Sequence, residues 1–230
     1  MKRLFAFLAS AVVFAAGMQA VAGAQAQPQR QLVYSYTVGV DNSSSDSSMS
    51  QYSDNTSNST SDMGRITVGV IGVESDGGLV ITVSEVGRSN RTVAPATCVD
   101  YSSTNVVCGT QVVTPEETSV LRALNPKFFD ASALDAKRHW RIAPPGSGVT
   151  IDYSASPLQN GVTTISGTRD ESSADSTTHS EMTYTYDTSK LLPTQLKEYE
   201  TIRVQTPSHR STSTVDITAN LVSDSGFKHA

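Results

Sequence analysis

The chain has 230 residues, with 17 basic and 22 acidic side chains and a net charge of −5. That acidic balance argues against nucleic acid and anionic membrane surfaces as partners. Serine (33) and threonine (26) make up about a quarter of the residues. Such side chains compete with helices for backbone hydrogen bonds and suit exposed strand faces.

Residues 1–24 read as a secretory signal peptide. Lys2 and Arg3 form a positive start, Leu4 to Met18 an apolar run, and Ala20-Val21-Ala22, Ala22-Gly23-Ala24 and Ala24-Gln25-Ala26 fit the A-x-A cleavage pattern. The run falls short of the roughly 20 apolar residues that a spanning helix needs. No cysteine follows it to carry a lipid. The expectation is a periplasmic or secreted protein, one β-rich domain over 25–230, with no transmembrane helix in the mature chain. Without Lys2 and Arg3, 15 basic residues face 22 acidic ones, a net charge of −7. In an oxidising compartment Cys98 and Cys108 are expected to form a disulfide across a hairpin centred on Ser103.

Leu32 to Val40 is the first strand. Asp41 to Asp62 follows, with ten serines in 22 residues and few apolar side chains. By composition it cannot repay ordering entropy, so a mobile serine-rich loop is expected at 41–62. Arg65 to Glu74 and Leu79 to Val86 form a hairpin around Ser75-Asp76-Gly77-Gly78. Thr114-Pro115-Glu116-Glu117 opens a helix with a capping box and proline at the first helical position. Val120, Leu121 and Leu124 give it an apolar stripe, and Asn125-Pro126 stops it. Phe128 and Phe129 follow, then a second helical turn over Asp130 to Arg138.

Strands return with His139 to Ala143 and Val149 to Ala155. Val162 to Thr168 follows a Gln159-Asn160-Gly161 turn, and a polar loop is expected over Arg169 to Ser176. Thr177 to Tyr186, Thr194 to Val204 and Thr212 to Val222 complete the set, the last with Val215, Ile217, Ala219 and Leu221 in strict alternation. Strands that follow one another without crossover helices imply an antiparallel sheet. The predicted fold is mainly β: a single curled antiparallel sheet, half-barrel or open barrel, with one or two short helices covering one face.

Leu134 to Trp140 running into a strand, and Asp187-Thr188-Ser189-Lys190-Leu191-Leu192-Pro193 leading into Thr194 to Val204, resemble the bacterial periplasmic lipoprotein-carrier half-barrels. The resemblance covers Asp130 to Val222. It implies an apolar cavity under the helices that takes acyl chains. The Ser/Thr-rich strands and the serine segment depart from that pattern.

Little in the chain points to catalysis. G-x-S-x-G does not occur, and the one S-x-x-K, Ser225 to Lys228, lies in a polar tail without companions. The four histidines lack H-E-x-x-H spacing. His179 and Glu181, with Asp170, Glu171 and Asp175 nearby, read as a solvated strand face. Glu198 and Glu200 share a face with Leu196, Ile202 and Val204, and read as a strand end partly in water. No metal, cofactor or catalytic residue is expected. Phe128, Phe129, Trp140, Tyr153, Tyr184 and Tyr186 lie on the supposed concave side, where they line a ligand cleft or simply form core. A transmembrane barrel is disfavoured, because its lipid-facing rows would be mostly Ser and Thr. The functional expectation is an exported non-catalytic β-domain that binds an apolar ligand or a cell-envelope partner on the concave face. The alternative is a structural or surface-interaction protein without a pocket.

Overall fold

The computed structural model describes residues 29–46, 54–73, 79–87, 96–98, 113–124, 138–143 and 149–226. Within them the chain forms β1 (Arg30–Asp46), β2 (Asp54–Val73), β3 (Leu79–Gly87), β4 (Ala96–Cys98), α1 (Pro115–Ala123), β5 (His139–Ile142), β6 (Val149–Ala155), β7 (Val162–Ser172), β8 (Ser176–Asp187), β9 (Leu192–Gln205) and β10 (His209–Asp224). All ten strands belong to one sheet in the order β4-β3-β2-β1-β10-β9-β8-β7-β6-β5, and every pairing is antiparallel. Among the described residues no pairing joins β4 to β5, so the sheet is open. The expected fold class is the observed one.

The sheet is two meanders rather than one. β1 to β4 and β5 to β10 meet where the first strand pairs the last, from Leu32↔Asp224 to Asp46↔His209. α1 packs on β9, β10 and β1, at the middle of the sheet. α1, which falls between the two edge strands β4 and β5 in sequence, lies on one face of the sheet.

Alternation decides which face that is. Leu32, Tyr34, Tyr36 and Val38 of β1, Ile66 and Val68 of β2, Ile151 and Tyr153 of β6, Met182 and Tyr184 of β8, and Val215, Ile217 and Ala219 of β10 are all buried in one contiguous core with Val120 and Leu121 of α1. Their neighbours in sequence point outward to water, among them Thr164, Ser166, Glu181, Lys197 and Asp216. Links that skip strands show the curl. The Tyr34 hydroxyl donates to the Pro193 carbonyl at 2.8 Å and Tyr36 to Glu85. Irregularities at Val33/Tyr34, Val70/Gly72 and Thr185/Tyr186 supply local bends.

The turn at Gln159-Asn160-Gly161 forms as expected. Asn160 and Gly161 take positive φ (54° and 78°), and Gln159 and Val162 exchange backbone hydrogen bonds of 2.9 and 3.0 Å. The capping box of α1 forms too, with Thr114 accepting from the Glu117 amide and Glu117 reaching back to the Thr114 amide.

Two expectations need correction. Residues 41–46 and 54–62 are strand, not loop: β1 and β2 run on in register from Val40↔Thr60 to Asp46↔Asp54, with β10 along the other side of β1. The composition argument counted only burial. Backbone pairing on both sides of β1, with cross-strand contacts such as Ser44 Oγ to Thr56 Oγ1 at 2.7 Å and His209 Nδ1 to Asp46 at 2.5 Å, orders the segment without an apolar face. Likewise Arg169 to Ser172 continue β7, and only the turn around Ser173 to Asp175 separates it from β8. Cys98 ends β4, while Cys108 lies outside the described residues, as do the turn at Ser75 to Gly78, residues 1–24 and the second helical turn up to residue 137.

Candidate functional site

The register gathers a polar island on the concave face. Arg169 of β7 sits opposite Ser180 of β8, Ser180 opposite Glu200 of β9, and Glu200 opposite Val215 of β10. In the next row Gly167, Met182, Glu198 and Ile217 line up in the same way. The core is therefore interrupted at one spot by Arg169, Ser180, Glu198 and Glu200, and α1 lies over that spot with Ser119 and Arg122 facing down.

These groups pair closely. Arg122 Nη1 donates to Glu198 Oε1 at 2.9 Å, and the Ser119 hydroxyl donates to Glu198 Oε2. Arg169 Nη2 donates to Glu200 Oε2 at 2.6 Å, and Ser180 to the same oxygen at 2.9 Å. Arg169 Nη1 lies 3.6 Å from Glu171 Oε2. Glu198 is 3 % exposed and Arg122 6 %. Burial works against the charge on Arg122, but the carboxylates of Glu198 and, farther off, Glu200 outweigh it and hold the guanidinium charged.

A cavity of about 220 Å³ opens between α1 and these rows, lined by Ser119, Arg122, Arg169, Glu198, Glu200 and Ile217 with the first turn of the helix. The Nε atoms of Arg122 and Arg169 are fully buried beside it, and among the described residues they have no hydrogen-bond partner. An unpaired buried donor costs about 1 to 3 kcal/mol.

At the start of α1 a second acidic group forms. Glu85 of β3 accepts from the Tyr36 hydroxyl and from Thr114 Oγ1, the latter at 3.0 Å. Glu116 lies against it. Desolvation, with the charge of Glu85 adding to it, pushes the Glu116 carboxyl up to about 7.

The aromatic side chains singled out from the sequence fall elsewhere. Trp140 stacks on Tyr153 at 5.3 Å between centroids, and Tyr153 packs on Tyr184 at 6.5 Å. Tyr153, Tyr184 and Tyr186 are buried core, and Trp140 packs half-buried against it. Gly167 makes this packing possible, since a Cβ there would lie 2.6 Å from two ring carbons of Tyr153. Phe128 and Phe129 lie outside the described residues. His179 and Asp170 do meet, at 2.7 Å, but both are at least half exposed on the convex face. Among the described residues no three His, Cys, Asp or Glu side chains are grouped to hold a metal.

Glu198 and Glu200 stood out in the sequence as charges on an apolar face, and the reading of a strand end in water fails for Glu198. Arg122 and Arg169 were missed. The signal for Arg169 was its place two and four residues beyond Gly167 and Ile165, on the same inward face.

No protein-family model matches the chain, and no curated protein matches it significantly. Two crystal structures of Ail, the attachment invasion locus protein of Yersinia pestis, superpose on it. The first has 6 % sequence identity and covers 83 % of this chain and 97 % of that one, with a TM-score of 0.22. The second, in complex with the heparin analogue sucrose octasulfate, has 7 % identity, the same coverage and a TM-score of 0.22. Similarity at that level establishes neither a shared fold nor a shared function.

Proposed function

We propose that this chain is an exported, non-catalytic β-domain that acts by binding, and that it binds through the cavity between α1 and the β7 to β10 part of the sheet. The supporting observation is the two ion pairs, Arg122 with Glu198 and Arg169 with Glu200, that line this cavity inside an otherwise apolar core. Charged side chains are rare in a core, and two pairs of them around one small space suit a polar ligand. Export rests on the leader-like residues 1–24. The charged lining supports a polar ligand over the apolar one that the half-barrel resemblance implies.

Native mass spectrometry of the secreted chain tests this. A small polar molecule released on denaturation, and lost with little change in fold on Arg169→Lys, supports the proposal. A clean apo mass, with no added polar small molecule raising the melting temperature, refutes it.

A second reading has its own observation. Residues 41–46, 54–61 and 209–214 extend the sheet as a three-stranded arm, rich in Ser, Thr and Asn on both faces. Such an arm suits contact with an envelope partner. Shortening β1 and β2 by removing residues 43–57 would abolish that contact and leave the cavity ligand in place.

A further inference from the structure

We infer that β2 pairs edge to edge with β2 of a second copy of this chain over Asp54 to Thr60, so that two polar arms join into one six-stranded sheet. The inference is independent of the cavity and its ligand. Three observations lead to it.

The first is an open edge. β3 pairs with β2 only from Gly64 to Val73. From Asp54 to Ser61, β2 is paired to β1 on one side, and among the described residues no strand pairs with its other side. Asn55 to Ser61 are seven consecutive exposed residues. The backbone N–H and C=O groups along such an edge are a template for another strand.

The second is that the edge carries none of the usual guards. Lysine, proline or a bulge commonly turns neighbouring chains away from an edge strand. Asp54 to Ser61 contains no Lys, Arg or Pro, and its pairing with β1 runs without a register shift. The one charge, Asp54, stands at the end. The arm also has no apolar face to hold it, so a further backbone ladder is the stabilisation open to it.

The third is self-complementarity, which a two-fold interface demands and a foreign strand does not. A two-fold axis perpendicular to the sheet sets the two copies of β2 antiparallel, with residues of the same face opposed. Centred on Ser57, it puts Ser57 against itself, Thr56 against Asn58, Asn55 against Ser59 and Asp54 against Thr60. Hydroxyl and amide groups both donate and accept, so each pair can satisfy itself. No carboxylate faces another, whereas centring on Asn58 would set Asp54 against Asp62. The last pair, at Thr60, falls short of Gly64, where β3 begins to occupy the edge.

Sedimentation velocity of the intact mature chain over a rising concentration series tests the pairing. The wild type is expected to move towards twice the monomer mass. Ser57→Lys sets two ammonium groups against each other at the axis and should leave monomer at every concentration. Ser57 is exposed, so this variant should fold. Thr212→Lys adds the same charge to the same cross-strand row, Thr212–Ser43–Ser57, but two strands from the edge, and should dimerise as the wild type does. Under oxidation Ser57→Cys should form a disulfide-linked dimer several-fold faster than Thr212→Cys, because only the former brings its two copies within bridging distance. A wild type that stays monomeric throughout overturns the inference. So does a dimer that survives Ser57→Lys, one that Thr212→Lys abolishes equally, or a Ser57→Cys chain that cross-links no faster than Thr212→Cys. All of these leave the cavity reading standing, since its ligand is sought by native mass spectrometry whatever the oligomeric state.

Discussion

Removing the Glu198 carboxylate should be among the most damaging single changes in the protein. Glu198 is 3 % exposed and holds two groups of α1, the Arg122 guanidinium at 2.9 Å and the Ser119 hydroxyl. In Glu198→Ala the arginine stays charged, stays buried, and loses its main counter-charge, while its Nε already has no partner among the described residues. Breaking one side of a buried pair costs about 3 to 5 kcal/mol. A domain of this size loses roughly 2 to 4 °C of melting temperature per kcal/mol, so a fall on the order of 10 °C is expected. The double variant Arg122→Met/Glu198→Leu removes both charges and keeps the volume. It should recover most of the loss, because attraction in a buried pair barely exceeds the cost of drying it. Urea unfolding followed by far-ultraviolet circular dichroism at pH 7 measures both. A Glu198→Ala protein within about 1 kcal/mol of wild type, the scale of an ordinary surface change, would show that the pair is not dry and would refute the reasoning. So would a double variant as unstable as the single one.

Three further outcomes follow from particular contacts. Burial raises the Glu116 carboxyl from 4.5 to about 7, so between those values the native state keeps a proton that the unfolded chain has released. Its contribution is full below about pH 4.5 and declines as pH rises to 7, by on the order of 3 kcal/mol; the stability difference between wild type and Glu116→Gln, measured by urea unfolding from pH 4 to 8, should shift by that amount and in that direction. Gly167→Ala places a methyl group 2.6 Å from the ring of Tyr153, which should cost about 1 to 3 kcal/mol and perturb the near-ultraviolet signal of the Trp140–Tyr153 stack. Thr114→Ala strips the helix cap and the 3.0 Å link to Glu85 and should cost about 1 to 2 kcal/mol in urea unfolding, with Thr114→Ser close to wild type.

Local rules explain why most strands could be read in advance. In Val149 to Ala155 the alternation of Val149, Ile151 and Tyr153 marks a strand whose observed limits are the expected ones. Asn160-Gly161 marks its turn, and Thr114-Pro115-Glu116-Glu117 its helix start. Each signal is carried within a few residues. The pairing of β1 with β10 is not, because nothing near Leu32 encodes a partner near Asp224. The serine segment misled for a related reason. Its order comes from two neighbouring strands, and a composition count sees only the segment itself.

The site shows the same divide more sharply. Glu198 and Glu200 could be flagged because they break an apolar face at i, i+2 spacing, the one clue a strand gives about its inner side. What the sequence could not supply was their counter-charges. Arg122 flanks the apolar pair Val120-Leu121 and reads as the wet edge of a helix. Arg169 opens the polar run Arg-Asp-Glu-Ser-Ser and reads as a loop, although counting by twos from Ile165 through Gly167 carries it to the inner face. A charge on an inward strand position is stable only if a partner arrives from another element. Glu198 and Glu200 on β9 therefore imply basic residues on whatever covers β9. The structure places those residues on α1 and β7, and among the described residues the two guanidiniums between them still hold two N–H groups unspent.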